Sequence, residues 1–174
     1  MISIVVCTDL NGGIGYKGKL LANIPSELEY FKTLTNNSVC VMGRKTFESI
    51  LKKNGRPLEG RLTVVLSKEY EEYQKFYDGL PNVLFTDNVD RIVELATIEN
   101  KYNEEVFICG GVEVYKQFIP FAKKAYVTTI MEEFNDVDKV FPVDKLESFK
   151  VLSSNSFIDE STAYGYNITE YGRK

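Results

Sequence analysis

Val39-Cys40-Val41-Met42-Gly43-Arg44-Lys45-Thr46-Phe47-Glu48-Ser49-Ile50 contains the transition on which the fold turns. Its first four residues are a continuous apolar run, too short for a buried helix and suited to a strand covered on both faces. Gly43-Arg44 ends the run, and the chain turns into a short helix through Ile50. The same unit recurs outward in both directions. Upstream, Ile2 to Thr8 reads as a buried strand, and Pro25 opens a helix with Leu28, Phe31 and Leu34 on one face. Downstream, Leu62 to Leu66, Val83 to Thr86, Val106 to Cys109 and Ala125 to Ile130 read as further strands. Asn88 caps a helix bearing Ile92, Val93 and Leu95, and Gly110-Gly111 precedes a helix that Pro120 stops. Strands alternating with helices predict an α/β fold, a mostly parallel sheet with helices on both faces. The tail changes rhythm: Phe149 to Phe157 and Tyr164 to Tyr171 have no helix between them and predict an antiparallel pair closing one edge. The expectation is one domain over residues 1–174, with an eight-stranded twisted sheet and an antiparallel C-terminal edge strand.

Composition narrows the chemistry. The 174 residues are 44% hydrophobic and 26% charged, an ordinary globular balance for one domain. There is no His and no Trp. Without His there is no Ser-His-Asp or Cys-His machinery and no imidazole ligand for a metal. Proton chemistry must come from a carboxyl, Tyr, Lys, Cys or water, and no metal is expected. A net charge of −4 without a basic stripe argues against a nucleic-acid partner. Cys7, Cys40 and Cys109 are odd in number, widely spaced and set in apolar runs, as reduced core cysteines are. No charged leader precedes Met1-Ile2-Ser3-Ile4 and no apolar stretch is long enough to span a bilayer, so a cytoplasmic protein without membrane contact is expected. No exposed apolar stripe demands a partner subunit, and a monomer is expected.

Gly13-Ile14-Gly15-Tyr16-Lys17-Gly18 matches G-x-G-x-x-G after the first strand. A Rossmann turn needs a helix to begin inside the motif, whereas here the helix waits until Pro25. The same stretch nearly matches a Walker A loop, but Leu20 stands where a magnesium-binding hydroxyl is required. Better phosphate candidates sit at three strand ends: Gly110-Gly111, Gly43-Arg44-Lys45-Thr46, and Ser67-Lys68. Carboxyl ends of neighbouring strands are where open α/β sheets bind ligands. Together the three suggest a dinucleotide carrying an extra phosphate. Glu27 sits in the first turn of its helix, four residues before Phe31 and on the same face, so the carboxyl borders apolar surface. By residue type alone a first-turn acid complementing the helix dipole is the more natural reading.

Ile14-Gly15, Ile24-Pro25-x-Glu27-x-x-x-Phe31-Lys32 and Met42-Gly43-Arg44-Lys45-Thr46-Phe47-Glu48-Ser49-Ile50 together resemble the dihydrofolate reductase family. Arg56-Pro57-Leu58-x-Gly60-Arg61, Gly110-Gly111-x-x-x-Tyr115, Tyr126-x-Thr128 and Phe141-Pro142 continue the resemblance, in order, over almost the whole chain. The resemblance implies NADPH-dependent reduction of 7,8-dihydrofolate to 5,6,7,8-tetrahydrofolate, which feeds one-carbon metabolism, and a pocket that also takes antifolate-type inhibitors. It implies that Glu27 bonds the pterin and supports its protonation through water, with Thr128 joined to both. It places Val5, Val6, Leu28, Phe31, Lys32, Ile50, Leu58 and Cys109 around the substrate and makes Arg61 the clamp for its α-carboxylate. For the cofactor it implies Cys7, Ile14, Gly15, Gly43, Arg44, Lys45 and Thr46. Leu66, Ser67, Lys68, Cys109, Gly110, Gly111, Val112, Val114 and Tyr115 complete that set. Residues 38–103 are implied as an adenosine-binding subdomain, and the Gly12 to Asn23 segment as a mobile loop over the nicotinamide. The chain departs from the family pattern at Leu21-Ala22, where Pro-Trp is usual, at Glu113, where relatives often carry a cation, and in an insertion at Leu51 to Asn54. Alternatives are a related-fold NADPH-dependent pyrimidine reductase of riboflavin synthesis, which needs neither Glu27 nor Arg61, and a non-catalytic dinucleotide-binding or structural protein.

Overall fold

The structure, a computed structural model, describes residues 1–97 and 105–174. From the N-terminus the elements are β1 (Ile2–Thr8), β2 (Gly13–Gly15), α1 (Pro25–Thr35), β3 (Val39–Gly43), α2 (Arg44–Asn54), β4 (Leu62–Leu66) and α3 (Tyr70–Phe76). They continue as β5 (Val83–Thr86), α4 (Val89–Thr97), β6 (Val106–Ile108), α5 (Val112–Phe118), β7 (Lys124–Ile130), β8 (Lys139–Val140), β9 (Phe149–Ile158) and β10 (Gly165–Arg173). Eight strands form one sheet in the order β5-β4-β3-β6-β1-β7-β10-β9. Strands β5 through β7 in that order pair in parallel, while β10 runs antiparallel to both β7 and β9. The expected antiparallel pair therefore closes the edge, with β9 outermost and the chain's last strand one place inside it.

Pleating sorts each strand's side chains into two layers. Ile4, Val6, Val41, Ile108 and Val127 join Ile92 and Ala96 of α4 and Val114 and Phe118 of α5 in one core. Val5, Cys40, Met42, Phe107 and Tyr126 point the other way and pack with Phe47 of α2, Phe31 and Leu34 of α1. Because both faces are covered, the central strands read as unbroken apolar runs rather than alternating ones. Asn88 caps α4 as expected, its Oδ1 accepting the Arg91 N–H at 2.9 Å.

Two elements differ from the expectation. Helix α3 was not anticipated, since Tyr70-Glu71-Glu72-Tyr73 carries no aliphatic stripe; its apolar face is aromatic, with Tyr73 and Tyr77 stacked on Phe85. The polar segment Asn135 to Lys139 ends in β8, which pairs antiparallel with β2. A two- or three-residue strand is too short to leave a period in the sequence. The end of the expected adenosine-binding segment lies outside the described residues.

Candidate active site

All the parallel strands point their carboxyl ends the same way, so Cys7, Gly43, Ser67 and Gly110 come to one edge of the sheet. Helix α1 delivers Glu27 to that edge. Its entry is fixed by Ile24, 2% exposed, which packs with Ile130 and Tyr166. Register pairs Cys7 of β1 with Thr128 of β7, and both lie beside Glu27. Glu27 is only 9% exposed. Burial raises its pKa above the usual carboxylate value, and a hydrogen bond from the Thr128 side chain pulls the other way. Burial also pushes the Cys7 thiol well up, with the Glu27 charge adding to it. A cavity of about 20 Å³ lies against Glu27, lined by Cys7, Ile14, Leu20, Leu21, Ala22, Ile24 and Ile130. That is room for one water.

Next to this acid, Val5, Phe31, Ile50, Leu58 and Cys109 share one apolar cluster. Val6 faces the opposite layer, among the residues under α4 and α5, so only its backbone borders the substrate side. Leu28 is half-buried and Lys32 is exposed in the last turn of α1. Arg61 is 7% exposed, and its guanidinium lies 5.8 Å from the Phe31 ring centroid. Its Nε donates to the Glu59 carbonyl at 2.9 Å and its Nη1 to the Thr35 hydroxyl at 3.2 Å. Among the described residues no carboxylate forms an ion pair with it. A buried cation held only by neutral acceptors is suited to receive a carboxylate from outside the chain.

On the other side of Cys109 the backbone narrows around glycines. The Gly110-Gly111 peptide is cis, and the Gly43 N–H donates to the Gly110 carbonyl at 2.8 Å. A Cβ on Gly43 would lie 3.2 Å from Val114 Cγ2, and Gly111 faces the Thr46 hydroxyl. Gly110 has φ +112°, and a Cβ there would stand 3.3 Å from the Tyr115 hydroxyl, which itself donates to the Val5 carbonyl at 2.8 Å. Gly110→Ala is therefore expected to lower stability by about 1–3 kcal/mol, the cost of a side chain in that backbone region. With the dinucleotide expected at this edge, the same substitution should also raise its KM at least severalfold, measured by steady-state kinetics beside thermal unfolding. An unchanged KM in folded Gly110→Ala would remove this edge from the expected dinucleotide site.

The expected phosphate-binding groups line up along the strand ends. Arg44 pairs with Glu48 at 2.9 Å and lies over the Tyr73 ring. Lys45 and Lys68 are exposed, Thr46 and Val112 half-buried, and Ser67, directly after Leu66, donates to Glu69 at 3.1 Å. Glu113 points to solvent and pairs with Lys116 at 3.2 Å.

The Gly12 to Asn23 loop is tied down by residues the sequence reading did not single out. The buried Asp9 carboxylate accepts the backbone N–H groups of Asn11, Gly13 and Phe134. Asp138 accepts the Lys17 N–H at 2.9 Å through its carboxylate and donates its own N–H to the Gly15 carbonyl at 3.1 Å. Ser49 of α2 donates to the Gly18 carbonyl at 3.0 Å. Asp9 before Asn11-Gly12-Gly13 carried a local turn signal; Asp138 carried none.

A mostly parallel sheet whose strand ends present a diglycine, basic and hydroxyl groups, beside a buried acid, a buried guanidinium and an apolar cleft, is the class of α/β protein suited to hold a nucleotide next to a small anionic ligand. The comparisons narrow the class. The family model for dihydrofolate reductase matches residues 1–173, and the chain belongs to the dihydrofolate reductase family. It is 32% identical to dihydrofolate reductase of Bacillus subtilis (strain 168), over 100% of this chain and 95% of that protein. It is 35% identical to that of Sus scrofa, over 89% and 86%. A solved structure of dihydrofolate reductase from Enterococcus faecalis, complexed with NADP(H) and RAB-propyl, superposes with a TM-score of 0.82 at 30% identity, covering 100% of this chain and 96% of that one. No observation favours the pyrimidine-reductase alternative, which would leave both buried charges without a role.

Proposed function

We infer that this chain reduces 7,8-dihydrofolate to 5,6,7,8-tetrahydrofolate with NADPH, and that Glu27 supports the protonation of the pterin. The carrying observation is the buried Glu27 carboxyl, its pKa raised by burial, at the end of β1 beside the glycine edge. When bound, NADPH supplies the hydride that reduces the pterin's C=N bond. The glycine cradle fits such a group: Gly43 and Gly110 leave space that a Cβ would fill, and Arg44, Lys45, Thr46, Ser67 and Lys68 offer cations and hydroxyls along the same edge. The chain's own residues do the rest. Glu27 bonds the pterin and, its pKa raised by burial, keeps its proton to a higher pH than a free carboxyl, with a water relaying it to the ring nitrogen. Phe31, Ile50 and Leu58 pack the rings, and Arg61 takes the α-carboxylate through two parallel hydrogen bonds. Leu20, Leu21 and Ala22 cover the acid and limit its contact with solvent.

This reading places the protein in the cytoplasm, as a monomer, supplying tetrahydrofolate for one-carbon metabolism; antifolate-type inhibitors compete for the pterin pocket. The free thiols of Cys7, Cys40 and Cys109 accord with a reducing compartment. Among the described residues, no helix is long and apolar enough to cross a membrane. The decisive assay is NADPH oxidation with and without dihydrofolate; folded protein lacking folate-dependent turnover would refute the activity. Ala22→Trp tests the loop's part in it. An indole over the cavity dries Glu27 further and raises its pKa further. The fall in kcat on the alkaline side should therefore move to higher pH, and an unmoved pH profile would show that Ala22 does not govern the acid.

A further inference from the structure

We propose that Asp159, carried by the turn between β9 and β10, is a positioning residue that fixes the first turn of α1 and so holds Glu27 in register with the pterin. The proposal rests on the role given to Glu27 above. Helix α1 has no side-chain cap of its own: its N-cap residue is Ile24, and Pro25 has no N–H to donate. The next N–H, that of Ser26, donates across the molecule to Asp159 Oδ2 at 2.9 Å. Ser26 is the residue before Glu27, so this bond sets the backbone that carries the acid. The other oxygen of Asp159 accepts the Ser161 hydroxyl at 2.7 Å and the N–H and hydroxyl of Thr162, each at 2.9 Å. Asp159 is 3% exposed, and these bonds, those from Ser26 foremost, hold its carboxyl well below the usual range. It is a fixed anion at the positive end of α1.

The turn that holds Asp159 is itself locked. Its N–H donates to the Tyr164 carbonyl at 2.9 Å, and its carbonyl accepts the Ala163 N–H at 2.8 Å. One turn away Tyr166, 4% exposed, shares a 2.8 Å hydrogen bond with the Ser26 hydroxyl and packs on Ile24 and Ile130. The hairpin thus grips the start of α1 at two residues, Ile24 by packing and Ser26 by two bonds, with ring-closed Pro25 between them. The titratable groups facing Glu27 are Cys7 of β1, Tyr30 of α1 and Tyr115 of α5. All three are pushed upward, Tyr30 to about 12, so they stay neutral where Glu27 titrates.

Asp159→Ala, Asp159→Asn and Ser161→Ala, compared in the dihydrofolate-dependent assay, separate positioning from mere hairpin stability. Asp159→Ala frees the first turn, lets water reach Glu27 and lowers its pKa. The expected result is a fall of about tenfold in kcat near neutral pH, as a small misplacement of a reacting group produces, with the descending limb of the kcat profile moved to lower pH and the KM for NADPH within twofold. Asp159→Asn has one oxygen, which serves the three donors of Ser161 and Thr162, and sets its NH2 against the Ser26 N–H. It keeps the turn but loses the bond to α1, and should show the fall in kcat and the moved limb with a smaller loss of Tm. Ser161→Ala removes a bond on the turn side only and should lower the Tm without moving the pH limb. Asp159→Ala that changes Tm but leaves kcat and the limb at the Ser161→Ala values would overturn the proposal. If Asp159→Ala does not fold, Asp159→Asn carries the test: a shift of the limb to lower pH supports positioning, and a wild-type profile overturns it. Failure of the folate reading itself would show separately, as absence of turnover in the unaltered protein.

Discussion

Glu27→Gln is expected to lose about 10²–10³-fold of turnover at neutral pH, within the range contributed by a positioned acid, and to regain rate as the pH falls. The amide has the shape of the carboxyl and still offers the Thr128 side chain an acceptor, so the pocket around Cys7, Ile14 and Ile130 keeps its form. What it lacks is the proton. In the native enzyme burial raises the Glu27 pKa, so the carboxyl stays protonated to a higher pH than a free one, and the rate falls as pH rises through that raised value. In Glu27→Gln there is no such group, and turnover follows the fraction of substrate protonated in solution, climbing about tenfold for each unit of acidification until that fraction saturates. Stability carries the same sign. A group whose folded pKa lies above its unfolded one contributes stability that is fully present below the unfolded value and is lost as pH rises through the folded value. The native protein should therefore lose Tm across that window relative to Glu27→Gln. Pre-steady-state rates and melting curves over a pH series test both, and a kcat profile parallel to the native one would remove Glu27 from the proton pathway.

The contrast between Glu27 and Asp159 shows what a sequence can convey about this molecule. The central strands were legible because they are buried on both faces, and continuous apolar runs such as Val39 to Met42 admit few other readings. Helical geometry places Glu27 on the Phe31 face, although by residue type alone a helix-dipole role explains it better. Arg61 is harder: between Gly60 and Leu62 an arginine by residue type suits an exposed turn, and only the family motif and its burial distinguish it. The residues that hold these groups in place left no trace. Asp138 meets Lys17 across 121 residues, and Asp159 meets Ser26 across 133. A single long-range hydrogen bond has no period, no preferred spacing and no compositional bias. It becomes visible only when the sheet brings β7, β10 and the loop after β1 to one place. Helix α3 is illegible for a different reason: the face it packs is aromatic and flanked by acids, so it lacks the aliphatic pattern that marks α1.

Arg61→Ala is expected to raise the KM for dihydrofolate by about 10²–10³-fold, the scale of removing one member of a buried, hydrogen-bonded charge pair, while kcat at saturation changes little. The reason lies in what Arg61 does before substrate arrives. Its guanidinium is buried against Phe31 and, among the described residues, bonded only to the Thr35 hydroxyl and the Glu59 carbonyl. Much of its desolvation cost is therefore not offset within the described chain, and an incoming carboxylate supplies the missing charge. Two consequences distinguish this from a simple structural role. Ligand-free Arg61→Ala should lose little stability, because deleting the side chain also deletes the buried charge. The rise in Tm that saturating substrate produces should shrink sharply, since that rise follows affinity. Arg61→Lys should recover little, because a point ammonium cannot reproduce the paired donors of the guanidinium. Dihydropterin substrates without an α-carboxylate provide the closing arm of a double-mutant cycle. With them native and Arg61→Ala proteins should have nearly equal KM, whereas an equal penalty on both substrates would mean that Arg61 shapes the cleft and does not bind the carboxylate.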